Sequence, residues 1–256
     1  MWTLITGASS GLGLELARIF AEHRHDLILV ARTAAKLDQL SSELRAKGVD
    51  VKTIALDLAQ HGAADALVDQ LNARQLEVDI LVNNAGFGLH GKFLDNDDKE
   101  QLEMLQLNMV TPTRLTKLLL PAMVERRSGK VLNVASTAAF QAGPLMASYY
   151  ATKAYLLHWS EAIALEYADQ GITVTALCPG ATATDFAARA GATNTPLFAR
   201  NVLNAADVAK AGYDGLMAGK TVVIPGFRNN VLRLGTRLVP RRVAAQLARR
   251  IQEPQP

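Results

Sequence analysis

Tyr149 and Lys153 stand four residues apart in a segment of helical apolar spacing, so their side chains share one face about a turn apart. A phenol that titrates near pH ~10 is a poor acid or base at neutral pH unless its anion is stabilised, and a nearby ammonium does that. Such a pair can give a proton to a developing alkoxide or take one from an alcohol. Tyr150 is adjacent, but only Tyr149 lies four before a lysine. Taken alone, a Tyr and a Lys at this spacing are more commonly a plain surface pair, so the meaning depends on what else the chain carries.

A second constellation sits near the N-terminus, where an apolar run WTLIT leads straight into Thr6-Gly7-Ala8-Ser9-Ser10-Gly11-Leu12-Gly13. Leu12, Leu16, Ile19 and Phe20 then keep helical spacing. Strand, glycine turn and helix are the context a phosphate needs. Gly7 can make the tight turn, Gly11 lets the backbone approach a pyrophosphate, and Gly13 lets the helix pack closely on the strand. The helix N-terminus offers free N–H groups and partial positive charge.

The GxxxGxG spacing, and the motifs that follow it in order, resemble the short-chain dehydrogenase/reductase family. Those motifs are Asp57, Asn83-Asn84-Ala85-Gly86, Asn108, Ser136, Tyr149-Tyr150-Ala151-Thr152-Lys153, and Pro179-Gly180 followed by Thr184. The resemblance covers residues 2 to about 226. It implies a catalytic set of Asn108, Ser136, Tyr149 and Lys153, in which Ser136 polarises a substrate carbonyl, Tyr149 transfers the proton, and the Asn108 backbone carbonyl relays protons to the lysine by way of a water. It also implies cofactor contacts from the glycine turn (Gly7, Ser9, Ser10, Gly11, Leu12, Gly13), from Asp57 and Leu58 near the adenine, and from Asn84, Ala85 and Gly86 beside the adenosine ribose. Pro179, Gly180, Thr182 and Thr184 would lie near the carboxamide and phosphates, and Tyr149 and Lys153 at the nicotinamide ribose.

The cofactor's second phosphate is addressed by the end of the second apolar run, Val30-Ala31-Arg32. An acid there would select NAD, whereas an arginine offers a fork to the 2′-phosphate of NADP. Arg32 therefore predicts NADP(H), although Ser10 stands where many NADP-preferring relatives have Lys or Arg. The expected activity is reversible hydride transfer between the nicotinamide and a carbonyl or secondary alcohol (EC 1.1.1.- type). The alternative is a non-catalytic NADP-binding regulator of the same fold. Phe140, Leu145, Met146, Phe186, Leu197 and Phe198 are candidate substrate walls, so a hydrophobic ketone, aldehyde or acyl chain is the expected partner.

These residues must be positioned by repeated βα units. Short apolar runs near residues 2–6, 27–31, 51–56, 79–83, 131–135, 172–178 and 221–224 alternate with helical segments over 12–23, 34–47, 62–74, 97–126, 149–169 and 205–218. The runs are apolar on both faces, which requires helices on both sides of a parallel sheet. The expected fold is α/β, a single-domain Rossmann fold over 1–226 with a doubly wound sheet of about seven strands. Residues 180–204, rich in small side chains, read as a substrate lid following a strand end.

Composition bounds the rest. The 256 residues are 49% hydrophobic, and a single cysteine, Cys178, excludes an intramolecular disulfide and argues against a Cys-rich metal site; no metal is expected. The N-terminus lacks a basic region followed by an apolar run, and no apolar stretch is long enough to span a bilayer, so a soluble, cytoplasmic protein is expected. From Arg228 onward the chain holds seven of its 27 basic residues and only one of its 24 acids, leaving a net negative body. That balance argues against nucleic acid as a partner and isolates a basic C-terminal extension, 227–256. This segment is similar to the extra C-terminal segment of a bacterial subgroup of the family. After Pro240, Val243, Leu247 and Ile251 form an i, i+4 stripe among arginines. Docking on its own domain or on a sister subunit is preferred to a membrane-surface contact or a solvated end. Family resemblance further implies a homo-oligomer, dimer or tetramer.

Overall fold

A computed structural model describes residues 1–199 and 202–253. Residues 200 and 201 of the expected lid and 254–256 of the extension lie outside the described residues. Seven strands form one parallel sheet: β1 (Trp2–Thr6), β2 (Asp26–Ala31), β3 (Val51–Ala55), β4 (Val78–Asn83), β5 (Gly129–Val134), β6 (Ile172–Leu177) and β7 (Val222–Val223). Their spatial order is β3-β2-β1-β4-β5-β6-β7. The chain winds outward in one direction from β1 through β3 and then returns to start β4 on the other side of β1. Between β1 and β4 the crossovers leave toward opposite edges, which opens a crevice above the carboxyl ends of the strands.

Alternation along each strand builds two separate cores. Leu4, Ile28, Val30, Leu81 and Val131 face one side, where Leu67 and Leu71 of α3 (Ala63–Ala73), Leu115 and Met123 of α5 (Thr111–Glu125) and Ile163 of α6 (Ala147–Glu166) cover them. Ile5, Leu27, Leu29, Ile80, Val82 and Leu132 face the other. There Leu16 and Phe20 of α1 (Gly11–Glu22), Leu37 and Leu40 of α2 (Ala34–Arg45) and Val208 and Leu216 of α9 (Ala205–Met217) complete the layer. The continuous apolar runs are thus strands buried on both faces, as expected from their lack of polar alternation.

The structure departs from the expected elements in three places. The single helix expected over 97–126 is α4 (Asp98–Leu105), a π-helical turn (Gln106–Val110), and then α5. The stretch 180–204 holds two short helices, α7 (Phe186–Ala190) and α8 (Pro196–Ala199), tied back by a bridge between Thr182 and Leu203. The extension is a pair of helices, α10 (Phe227–Leu238) and α11 (Arg241–Gln252). Among the described residues, no helix is long and apolar enough to cross a membrane, and no three or more His, Cys, Asp or Glu side chains are grouped so as to hold a metal ion.

Candidate active site

The glycine turn caps β1 at the crevice. Thr6 organises it: its hydroxyl accepts from the backbone N–H groups of Asn84 and Ala85, each at 3.0 Å, and donates to the Val82 carbonyl at 3.2 Å. Asn84 closes the arrangement by donating its side-chain amide to the carbonyls of Thr6 (2.8 Å) and Gly7 (3.2 Å). Gly7 adopts a φ of +67°, a left-handed conformation that a Cβ disfavours. The turn at β1 and the turn after β4 are therefore one hydrogen-bonded unit, and the Asn84 side chain is committed to holding it.

A cleft of about 1230 Å³ runs from this turn across the carboxyl edge of the sheet. At one end it is lined by Gly7, Ser9, Ser10 and Leu12, by Arg32 beyond β2, by Asp57 and Leu58 beyond β3, and by Asn84, Ala85 and Gly86 beyond β4. Ser136, Tyr149, Lys153, Pro179, Gly180, Thr182 and Thr184 line its middle. Of the residues expected from sequence, Gly11, Gly13 and Asn108 do not line it. Gly11 lies under Thr184, whose Cβ would be 3.1 Å from a Cβ placed on the glycine, and Gly13 packs against Gly7.

Asn108 is buried in the π-helical turn. Its side-chain amide donates to the Phe87 carbonyl (2.9 Å) and the Thr152 hydroxyl (3.1 Å), and its Oδ1 accepts from the Phe87 N–H (3.2 Å). It thereby fastens the segment after β4 to α6, one residue before Lys153. A π-turn inside a helix costs regular hydrogen bonding and tends to persist where function needs it.

Tyr149 and Lys153 are both buried on the inner face of α6, with the lysine Nζ 5.8 Å from the centre of the Tyr149 ring. Nζ donates to the Val134 carbonyl at 2.8 Å, so the end of β5 positions the ammonium. Ser136 follows two residues later, where its hydroxyl accepts from the Ala138 N–H at 3.1 Å and donates to the Pro179 carbonyl at 3.4 Å. Burial pushes the Tyr149 phenol up, and the neighbouring Ser136 hydroxyl offsets only part of that. Burial likewise drives Lys153 down, to about 8. The tyrosine is thus held as a neutral acid, not shifted toward neutrality as its spacing from a lysine suggested, because desolvation penalises both charged forms.

Tyr150 is already engaged: its hydroxyl accepts from Gln252 Nε2 at 2.8 Å. Gln252, at the end of α11, is fully buried, and its carbonyl accepts from His90 Nε2 at 2.7 Å. The extension therefore docks on its own domain. It does so through Ala244, Ala248 and Gln252, leaving the Val243, Leu247 and Ile251 stripe half exposed. Sequence reasoning missed Gln252 because a lone glutamine near a terminus carries no spacing signal. It also missed Lys36, one turn into α2 on the same side of the cleft as Arg32, and Arg189 of α7, whose guanidinium stacks 4.3 Å over the Phe87 ring. An RxxxK pattern starting at the end of β2 was the legible clue to Lys36.

The lid reaches the reactive residues through aromatic contacts. The Phe186 ring lies 5.2 Å from Tyr149 and 6.2 Å from Phe198. Phe140, Met146, Phe186, Leu197 and Phe198 all line the cleft, as expected, whereas Leu145 does not.

A family model described as short chain dehydrogenase matches residues 1–195. The chain belongs to the short chain dehydrogenase family. A short-chain dehydrogenase from Sphingobium yanoikuyae in complex with NADPH has a TM-score of 0.83 and 33% identity, with 93% of each chain covered. The bulky-bulky ketone specific alcohol dehydrogenase from Comamonas testosteroni has a TM-score of 0.78 and 31% identity, with 92% of each chain covered. A very-long-chain 3-oxoacyl-CoA reductase from Pyrenophora tritici-repentis is 39% identical over 178 residues, which are 68% of this chain and 52% of that protein. The chain spans about half the length of this curated relative.

Proposed function

We propose that this short chain dehydrogenase is an NADP(H)-dependent oxidoreductase that interconverts a carbonyl and a secondary alcohol on a hydrophobic substrate. The observation that carries the reading is the convergence of Ser136, Tyr149 and Lys153 on the wall of one cleft that is also lined by Gly7, Ser9, Ser10 and Leu12 of the glycine turn. When bound, the nicotinamide supplies or accepts the hydride. Ser136 donates a hydrogen bond to the substrate oxygen, and Tyr149, kept protonated by burial, delivers its proton to that oxygen as charge develops. Lys153 stabilises the phenolate left behind. Asn108 holds the geometry of α6 against the segment after β4 and, through its backbone, connects the lysine to the proton supply.

NADP is favoured by Arg32 and Lys36, which line the cleft beyond β2 with no acid at the strand end. Arg189 adds a third cation, its pKa lowered first by burial and then by the charge of Arg32. Gly7, Ser9, Ser10 and Leu12 would meet the pyrophosphate, with Gly11 beneath Thr184 and Gly13 letting α1 approach the turn, and Thr182 and Thr184 would meet the nicotinamide side. Arg32→Ala is expected to weaken NADPH by about ten- to hundredfold, the worth of hydrogen bonds to a charged group, and to leave NADH nearly unchanged. Titration of both nucleotides by intrinsic fluorescence checks this, and equal losses for the two would remove Arg32 from the phosphate site.

The substrate class rests on the apolar cleft walls. Relatives named for bulky ketones and for very-long-chain 3-oxoacyl groups point the same way. The direct test is NADPH oxidation with aromatic ketones, long aliphatic aldehydes and 3-oxoacyl thioesters. Turnover rising with apolar bulk supports the reading, and turnover confined to small polar carbonyls rejects it. The pH dependence has a fixed sign. Lys153 is an ammonium below about 8 and a neutral amine above it. The kcat/KM for reduction is therefore expected to fall as pH rises through that value. In Lys153→Arg the falling limb should move to higher pH, because a guanidinium stays charged. A profile flat through that region in the wild type would exclude a charged Lys153 from the rate.

Assembly into a homo-oligomer is supported by apolar side chains left open on the helices that follow β4 and β5. Leu94, Leu102, Val110 and Leu165 are all exposed there.

A further inference from the structure

The C-terminal helix pair presents a surface that the oxidoreductase reading does not use. In α10, Phe227, Val231, Leu234 and Leu238 recur at i, i+4, i+7 and i+11, which places them on one stripe. None is covered: Phe227 is 83% and Leu238 85% exposed. In α11 the Val243, Leu247 and Ile251 stripe is also open, beside the docked Ala244, Ala248 and Gln252. Both helices are arginine-rich, and Glu253, already paired with Arg249 at 2.8 Å, is the one acid from residue 228 onward. Continuous apolar faces of this kind mark an interaction site.

The cleft runs up to this surface. Val231 and Leu232 of α10 and Leu247 and Ile251 of α11 line it while remaining exposed, so the apolar wall of the substrate end passes into the apolar face outside. We propose that α10 and α11 dock the protein on an anionic phospholipid bilayer, with the outer mouth of the cleft facing the lipid.

Charge complementarity selects this occupant. Open apolar stripes beside the exposed Arg241, Arg242, Arg249 and Arg250 match an interface where acyl chains lie beneath anionic headgroups. A second copy of the same face is disfavoured, because a self-complementary contact would bring two arginine clusters together with only Glu253 from each side to offset them. A bilayer also suits the cleft, since a hydrophobic substrate partitioned into lipid would reach Tyr149 along a continuous apolar path. That last consequence rests on the proposed function; the docking itself does not.

The test needs no turnover. Full-length protein is co-sedimented with vesicles of phosphatidylcholine alone and of equimolar phosphatidylcholine and phosphatidylglycerol, at low and high salt. Sedimentation with the anionic vesicles, released by salt, is expected, with little on the neutral ones. Phe227→Ser/Leu238→Ser and Arg241→Gln/Arg242→Gln change exposed positions outside the cleft. Each pair is expected to weaken vesicle binding by about tenfold or more while leaving the circular dichroism spectrum and NADPH affinity as in the wild type. Wild-type protein that stays in the supernatant with anionic vesicles would overturn the proposal. So would a dimer that Phe227→Ser/Leu238→Ser dissociates in sedimentation velocity, or binding to polyglutamate in place of vesicles. NADPH binding in the same samples reports separately on the cofactor reading.

Discussion

Tyr149→Phe is expected to lower kcat for carbonyl reduction by about 10²- to 10⁴-fold, the usual worth of a positioned general acid, with NADPH affinity largely unchanged. The substitution removes one oxygen and keeps the ring, so the contacts to Phe186 at 5.2 Å and to Tyr150 at 6.2 Å persist and the lid keeps its seat. Tyr150 cannot take over, because its hydroxyl is held by Gln252 and its ring is fixed by burial. The substitution also removes a buried neutral hydroxyl, so thermal stability should hold or rise slightly. Steady-state kinetics with a responsive substrate and fluorescence titration of NADPH separate the two effects. A variant that keeps most of its kcat would move the acid elsewhere and leave Tyr149 as a wall of the cleft.

The reason Tyr149 could be singled out from sequence is that the pattern marking it is local. An i, i+4 relation to a lysine survives folding unchanged, and so does a glycine turn between a strand and a helix. The doubly wound sheet was legible for the same kind of reason: runs such as Leu27 to Ala31 divide their side chains between two cores, which only a strand covered on both faces requires. The π-helical turn around Asn108 was not legible as geometry, since its apolar residues keep enough period to read as one helix. The lid was visible only as a loss of period, and its helices α7 and α8 are too short to show one.

The C-terminal extension shows the opposite limit. Its amphipathic pattern was plain, but pattern alone does not say which face docks. The eye goes to Val243, Leu247 and Ile251, yet the helix approaches the domain on the alanines, which permit close contact, and places Gln252 between Tyr150 and His90. Removing that amide by Gln252→Leu should cost about 1 kcal/mol, because the buried Tyr150 hydroxyl loses its donor while the unpartnered amide oxygen of Gln252 is removed with it. Thermal denaturation measures this, and an unchanged Tm would mean the helix is held by its alanine contacts alone.

Gly13→Ala is expected to abolish tight NADPH binding and to lower Tm, although alanine is the better helix former. On propensity alone the change should gain about 1 kcal/mol in α1. Against that, a Cβ at residue 13 would overlap the Gly7 carbonyl oxygen and crowd the Asn84 side-chain nitrogen, both parts of the hydrogen-bonded unit that joins the turns after β1 and β4. A backbone oxygen cannot rotate out of the way as the end of a side chain can. Relief requires either that α1 lift from β1, opening the layer where Leu16 and Phe20 are fully buried, or that the Gly7 peptide turn, breaking its bond to Asn84. Overpacking of this kind costs about 1–3 kcal/mol or more, which cancels or outweighs the propensity gain, and either route displaces the N–H groups proposed to meet the pyrophosphate. Gly235→Ala in α10 is the matched control, since a Cβ there meets open space and only the propensity term remains. If the two variants bound NADPH and melted alike, the close approach of α1 to the turn would not be what shapes the phosphate site. If only Gly13→Ala fails, the third glycine acts by bringing the helix N-terminus against β1, and the cofactor end of the cleft depends on that contact.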